Sequence, residues 1–115
     1  HLPEVRKPEV IDWIRSVSAD AKIVASVCTG AFLLAEAGLL DGRPVTTHWE
    51  DIGDLRASYP ALEVRANVRW LRSGRVATSA GISAGIDMSL GLVADLFGEA
   101  LAASTARQME YDPVR

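Results

Sequence analysis

The chain has 115 residues, of which 49% are apolar and 23% charged, so we expect one domain with an ordered core. Its formal net charge of −3 argues against a nucleic-acid-binding surface in this segment. A single cysteine excludes an internal disulfide, and no Cys/His cluster has the spacing of zinc ligands. Because the sequence has neither a signal-peptide pattern nor an apolar run long enough to span a bilayer, we expect a cytoplasmic protein without a membrane partner.

The first predicted elements are a helix, a strand and a second helix. Residues 8–17 predict a helix, with Trp13 on its apolar face as a core or subunit-interface residue. Residues 23–27 predict a buried interior strand, because the run is apolar on both faces, and the other strands of this sequence can supply only part of its pairing. Residues 31–37 are rich in Ala and Leu and predict a helix that ends at Gly38.

The junction between that strand and the second helix is Cys28-Thr29-Gly30. A strand that turns directly into a helix needs a sharp corner, and Gly30 allows the backbones to approach there. A side chain at this corner stands at the end of the strand and beside free helix N–H groups, which favour an anion such as a thiolate. We therefore predict that Cys28 is a nucleophile, although a cysteine alone is more often a small buried apolar residue. Thr29 either begins the helix or contacts a substrate through its hydroxyl and N–H.

The rest of the chain continues the alternation of strands and helices. Its predicted strands are residues 45–47, 63–65, 68–71 and 76–79, and its predicted helices are residues 50–59, 86–97 and 99–110. Residues 67–79 have the pattern of a hairpin around Ser73-Gly74, and Ser83 is the expected N-cap of the following helix. This alternation predicts an α/β fold with a parallel sheet covered by helices.

Three predicted strand ends carry reactive or glycine-rich residues. They are Cys28-Thr29-Gly30, Thr47-His48-Trp49 and Ala80-Gly81-Ile82-Ser83. Because sites in such folds lie beyond the carboxyl ends of the strands, we expect these segments to share one rim. His48 is either a base or orienting group for Cys28 or a structural histidine, and Trp49 is either a pocket wall or a packing residue.

The glycines near residue 81 do not predict a nucleotide site. Gly81 and Gly85 lack the spacing of the dinucleotide-binding fingerprint, so we expect no such cofactor. We expect them instead to allow close packing and to present N–H groups at the rim. Asp87 near the start of that helix is expected to be a favourable partner of the helix dipole.

At these residues the sequence closely resembles the ThiJ/PfpI superfamily, the class I glutamine-amidotransferase-like family. The resemblance is carried by Ser26-Val27-Cys28-Thr29-Gly30-Ala31-Phe32-Leu33-Leu34-Ala35, Gly38-Leu39-Leu40-Asp41-Gly42-Arg43, Thr46-Thr47-His48-Trp49 and Thr78-Ser79-Ala80-Gly81-Ile82-Ser83-Ala84-Gly85-Ile86-Asp87. Within the superfamily the chain looks most like isonitrile hydratase and the amidase-like domain of arabinose-operon-type transcription regulators.

The resemblance implies a flavodoxin-like three-layer sandwich around a mainly parallel sheet. It implies that residues 1–115 are a partial domain without the family's amino-terminal strands. The family nucleophile falls on Cys28, with Thr29 beside it, and a histidine found in several branches falls on His48. In the hydratase branch a carboxylate near the amino terminus acts with the cysteine, and we expect that carboxylate to lie outside this sequence.

We therefore expect a cysteine-dependent hydratase or hydrolase, acting as a homodimer on a small carbon–nitrogen substrate without metal or cofactor. The expected catalytic residues are Cys28 and His48, and the expected substrate-binding residues are Thr29, Gly30, Trp49, Gly81 and Ile82. Two other functions stay open: the ligand-sensing domain of a transcription regulator, and a cysteine-based protein that responds to stress or oxidation.

Overall fold

A computed structural model describes residues 7–112, apart from the side chain of Ile82, as an α/β structure. The helices described are α1 (Pro8–Ala19), α2 (Gly30–Glu36), α3 (Ile52–Ser58), α4 (Ile82–Phe97) and α5 (Glu99–Gln108), and a 3₁₀-helix (Trp49–Asp51) precedes α3. The strands described are β1 (Val24–Val27), β2 (Pro44–Val45), β3 (Glu63–Val64), β4 (Trp70–Ser73) and β5 (Val76–Ser79).

The strand β5 is central to a three-stranded sheet with the order β1-β5-β4. It pairs in parallel with β1 and antiparallel with β4, and β2 and β3 form a separate parallel pair. The predicted hairpin is confirmed: β4 turns into β5 at Gly74, whose φ of 61° favours glycine. The described strands therefore form a mixed arrangement in which parallel pairing predominates, as expected for this fold class.

Within the described residues, β1 is paired on one side only. Its neighbour is β5, and Ser26 is buried while Ala25 and Val27 are exposed. Pairing on one side agrees with the expectation that the strands of this sequence supply only part of the pairing of this strand. The alternation of burial is typical of a strand that packs on one face.

The main core lies around helices α2 and α3. Phe32, Leu40, Val45 and Leu55 are almost completely buried there. The ring of Phe32 meets that of Tyr59 nearly edge-on, with centroids 6.4 Å apart. Such an arrangement is favoured by the aromatic quadrupoles and joins α2 to the end of α3.

Helix α4 comes unusually close to the sheet at two glycines. A Cβ atom built on Gly85 would lie 3.0 Å from Val27, and one on Gly91 would lie 2.5 Å from the ring of Trp70. The predicted close packing at Gly85 is therefore confirmed. The same prediction for Gly81 is wrong, because a Cβ there would meet no heavy atom within 4 Å.

Two predicted apolar faces are less buried than expected. In α1, Trp13 is 64% exposed, whereas Ile11 and Ser18 are buried. The reason is that α1 meets α2 through another stripe, where Arg15 Nε donates to the carbonyl of Ala37 at 3.2 Å. In α4, Phe97, the last residue of the predicted helix 86–97, is also exposed.

The predicted N-cap of α4 is wrong by two residues. Gly81 is the N-cap residue, and it has extended backbone angles. Ser83 is exposed and lies inside the helix.

Candidate functional site

The corner between β1 and α2 is built around an unusual backbone conformation at Cys28. Its φ is 52°, in the left-handed region that residues with a side chain seldom occupy. The N–H of Cys28 donates to the carbonyl of Ser79 at 3.1 Å, which ties the corner to the end of β5. The close approach predicted for Gly30 is not observed, since a Cβ at Gly30 would make only ordinary contact with Ser26. The unusual backbone angle of the corner lies at Cys28. Cys28 is half-buried and is a free thiol.

The segment after β2 lies directly against this corner. The hydroxyl of Thr47 donates to the carbonyl of Cys28 at 2.6 Å, and Thr47 is almost fully buried. Thr46 is equally buried and is held twice: its N–H donates to Thr78 Oγ1 and its hydroxyl donates to the carbonyl of Arg65, both at 2.9 Å. The predicted approach of the two strand ends is thus observed at Thr47, the residue before His48.

The two buried threonines were not among the predicted site residues. Their signal in the sequence is weak, because Thr46 and Thr47 are typical of an ordinary β-branched strand end. Only the tertiary contacts of their hydroxyls distinguish them from packing residues.

His48 uses one ring nitrogen within its own turn. Its Nδ1 accepts a hydrogen bond from the N–H of Glu50 at 3.3 Å. Carboxylate oxygens of Glu50 and Asp51 each lie 3.8 Å from the same nitrogen. An uncharged imidazole that accepts at Nδ1 carries its proton on Nε2, so it can donate from Nε2 but cannot accept a proton there. The ring of Trp49 lies beside that of His48, with centroids 5.9 Å apart.

A cleft of about 330 Å³ opens beyond the ends of β2, β3 and β5. The residues that line it are Thr46, Thr47, Trp49, Ile52, Ala66, Asn67, Val68 and Ala80. Trp49 is 76% exposed and therefore forms a wall of the cleft rather than part of the core. Thr47 belongs both to this cleft and to the support of the Cys28 corner, so the two features are adjacent.

The other predicted substrate-binding residues lie around the two corners. Thr29 is at the N-cap position of α2 and its side chain makes no capping hydrogen bond, while Gly30 begins the helix. Gly81 follows the cleft residue Ala80. Ile82 begins α4, and its side chain lies outside the described residues. The substrate contacts predicted for these residues remain predictions.

The acidic, histidine and cysteine side chains do not form a metal centre in the described part of the chain. Among residues 7–112, no group of three or more of them could hold a metal ion. The helices described there are also too short or too polar to cross a membrane.

The fold and the corner define an α/β protein with a cysteine at a strand-to-helix elbow. The chain belongs to the DJ-1/PfpI family, whose profile matches residues 3–95. This result confirms the family predicted from the four motifs.

The relatives include an enzyme and transcriptional regulators. The chain is 41% identical over 111 residues to isonitrile hydratase of Pseudomonas putida, a match that covers 96% of this chain and 47% of that protein. It is 38% identical over 108 residues to the HTH-type transcriptional regulator CdhR of Pseudomonas aeruginosa, covering 94% of this chain and 32% of the regulator.

A solved structure extends the likeness to three dimensions. The chain resembles a ThiJ/PfpI family protein from Pseudomonas syringae with a TM-score of 0.83 and 33% identity, covering 96% of this chain and 45% of that one. The sequence thus spans about half the length, or less, of these three proteins.

Proposed function

We propose that the protein carries out cysteine-dependent chemistry on a small carbon–nitrogen substrate, of the isonitrile-hydration type, with Cys28 as the nucleophile. The observation that carries this proposal is the left-handed conformation of Cys28 at the strand-to-helix corner. Strained residues of this kind cost about 1–3 kcal/mol and cluster at active sites, where the surrounding structure holds them. The 41% identity to an isonitrile hydratase supports the substrate class.

The proposed reaction adds one water molecule to an isonitrile and yields an N-substituted formamide. The sulfur of Cys28 bonds to the terminal carbon, and that carbon receives a proton, which gives a thioimidate. Water then adds to the same carbon, the nitrogen takes up a proton, and the carbon–sulfur bond breaks to release the formamide and the thiol. Each proton transfer needs a general acid or base, and such a group contributes about 10²–10⁴ in rate.

The tautomer of His48 limits its part in this scheme. Because Nδ1 accepts from Glu50, the uncharged ring offers a donor at Nε2 rather than a base. We therefore assign His48 to orienting or proton-donating work. Glu50 and Asp51, whose carboxylates approach its Nδ1, are the first acids within this sequence to examine as proton carriers.

The cleft beside the corner has suitable properties for a small, mostly apolar substrate. Its volume of about 330 Å³ falls at the lower end of the usual range for ligand sites. Trp49, Ile52 and Val68 provide apolar surface, and the backbone N–H groups of Thr29, Gly30 and Gly81 are the proposed donors near the reacting atoms. These roles depend on Cys28 being the nucleophile and are tested together with it.

The test is formamide production from an alkyl isonitrile by the protein and by variants at Cys28. We expect Cys28→Ser and Cys28→Ala to lose turnover while keeping their far-UV circular dichroism. His48→Gln should retain part of the activity, since glutamine can still donate a hydrogen bond. A Cys28→Ala protein that hydrates the isonitrile as fast as the unmodified one would refute the proposal.

A ligand-sensing domain is the second candidate, and the 38% identity to a transcriptional regulator favours it. In that case the cleft binds a small molecule without turning it over. We would then expect one ligand to quench the fluorescence of Trp49 to the same extent in the unmodified protein and in Cys28→Ala. No product should form in either protein. Turnover that depends on Cys28 would favour the enzyme over the ligand-sensing domain.

A further inference from the structure

Asp87 is a fully buried carboxylate on α4 that the candidate site does not use. Both of its oxygens accept hydrogen bonds: Arg69 donates from Nε to Oδ2 at 3.0 Å, and the hydroxyl of Tyr111 donates to Oδ1 at 2.8 Å. The guanidinium of Arg69 also forms an ion pair with Oδ2. The hydrogen bonds to Asp87 raise the pKa of both Arg69 and Tyr111. The sequence predicted a role for Asp87 with the helix dipole but did not predict its contacts with these two side chains.

Arg69 connects this network to the wall of the cleft. It follows Val68, which lines the cleft, and its carbonyl accepts a hydrogen bond from the N–H of Ala80 at 2.9 Å. Ala80 lines the cleft as well. Arg69 thus holds Ala80 through its backbone and α4 through its guanidinium, on either side of the junction at Gly81.

Tyr111 brings the segment after α5 into the same network. Its hydroxyl lies 3.2 Å from the carbonyl of Ser83 in the first turn of α4, in addition to its bond with Asp87. Tyr111 is not among the residues that line the cleft. A change at its hydroxyl can therefore reach the cleft only through its neighbours.

We propose that Asp87 is a positioning residue that holds the Val68 and Ala80 walls of the cleft through Arg69, and that Tyr111 couples the segment after α5 to those walls. The carboxylate supplies the fixed anchor, since an arginine fork on a buried carboxylate has a defined geometry. Loss of the charge on Asp87 frees the guanidinium and loosens the Ala80 wall. The proposal rests on the proposed function only for its kinetic readout.

The test compares Asp87→Asn and Tyr111→Phe with Asp95→Asn in the protein. Asp95 is a matched control, because it also joins α4 to β4 through an arginine, Arg72, at 2.8 Å, but on the exposed surface. Amide hydrogen exchange is measured at Ala80, with the N–H of Cys28 as the internal reference. We expect Asp87→Asn to speed exchange at Ala80 relative to Cys28 by about 10-fold, Tyr111→Phe to speed it less, and Asp95→Asn to leave it unchanged.

The second readout is the kinetics of isonitrile hydration. Because the cleft walls bind the substrate and do not react with it, Asp87→Asn should raise KM by about 10-fold and change kcat little. Equal acceleration of exchange at Ala80 and Cys28, or the same effect in Asp95→Asn, would show a general structural role and overturn the proposal. Unchanged exchange at Ala80 in both Asp87→Asn and Tyr111→Phe would also overturn it. If the unmodified protein shows no hydration, the proposed function fails while the exchange data still decide the positioning role.

Discussion

A single residue, Cys28, combines a free thiol with a costly backbone conformation. Its φ of 52° is one that glycine adopts freely and that other L-residues adopt at a cost of about 1–2 kcal/mol. Thr47 and Ser79 hold the corner through its carbonyl and its N–H. These two hydrogen bonds compensate for the strain and keep the thiol at the turn.

The strain at this residue leads to a prediction about stability. Cys28→Gly and Cys28→Ala both remove the thiol, but only glycine relieves the left-handed strain. We expect the glycine variant to have the larger free energy of unfolding, by about 1 kcal/mol, with the greater flexibility of its unfolded chain reducing the difference. Urea denaturation of the two variants measures this difference. An alanine variant as stable as the glycine variant would mean that the corner relaxes when the thiol is removed.

At the scale of elements, the packing of α4 on the sheet depends on the absence of a side chain at Gly91. The ring of Trp70 occupies the space that a Cβ there would take. We expect Gly91→Ala to lower stability by about 1–3 kcal/mol, because the helix or the indole must shift. The thermal midpoint measures this loss.

Gly53 in α3 provides the matched control for that substitution. A Cβ built there would meet no heavy atom within 4 Å. Gly53→Ala should therefore raise stability by up to about 1 kcal/mol through helix propensity alone. If both alanine variants shift the thermal midpoint in the same direction, the close contact at Trp70 has no energetic consequence.

The link between α2 and the end of α3 predicts a dependence of stability on pH. The hydroxyl of Tyr59 donates to Glu36 at 2.7 Å. Burial, and to a smaller extent this hydrogen bond, raises the pKa of Tyr59 from 10.0 to about 12. Between pH 10.0 and about 12 the folded chain therefore retains a proton on Tyr59 that the unfolded chain loses. The resulting stabilisation is complete below pH 10.0 and is lost as the pH rises through about 12.

Tyr59→Phe isolates this contribution. We expect the variant to be less stable than the unmodified protein near neutral pH, with a difference that shrinks as the pH approaches about 12. Urea denaturation over this pH range is the measurement. A difference that stays constant with pH would show that the hydroxyl contributes only through packing.

At the scale of the whole molecule, the end of β1, which is paired on one side only within residues 7–112, lines an apolar groove. The groove has a volume of about 470 Å³ and is lined by Val27, Gly85, Ile86, Ser89, Leu90, Val93, Thr105 and Met109. Met109, which follows α5, is half exposed, as is Leu101 on α5. An exposed strand edge beside an apolar surface favours association with another chain.

We therefore predict that the 115-residue chain self-associates when it is studied alone. Val27→Lys should lower the association, because it places a charge at the groove and beside the strand edge. Ala103→Lys is the control, since it adds the same charge at an exposed position of α5 outside the groove. Sedimentation velocity over a range of concentrations compares the variants. Equal effects of the two lysines would assign the change to net charge rather than to the groove.

Local sequence patterns were enough to predict the individual elements and the class of the molecule. The β-branched run before Cys28 and the Ala- and Leu-rich run after it predicted β1 and α2, since both depend on local propensity and periodicity. The turn at Gly74 likewise predicted the hairpin of β4 and β5. The motifs around Cys28, His48 and Gly81 sufficed for the family, because they are short and contiguous.

The way in which these elements support the candidate site depends on contacts between distant parts of the chain. The left-handed angle of Cys28 follows from hydrogen bonds with Thr47 and Ser79, which are distant in the sequence. The burial of Asp87 depends on Arg69 and on a tyrosine from beyond the last helix. Local patterns record which residues are apolar or flexible, but they do not record which distant hydroxyl, guanidinium or carbonyl will meet them. The orientation of the corner, the cleft and the buried carboxylate is therefore a property of the packed chain.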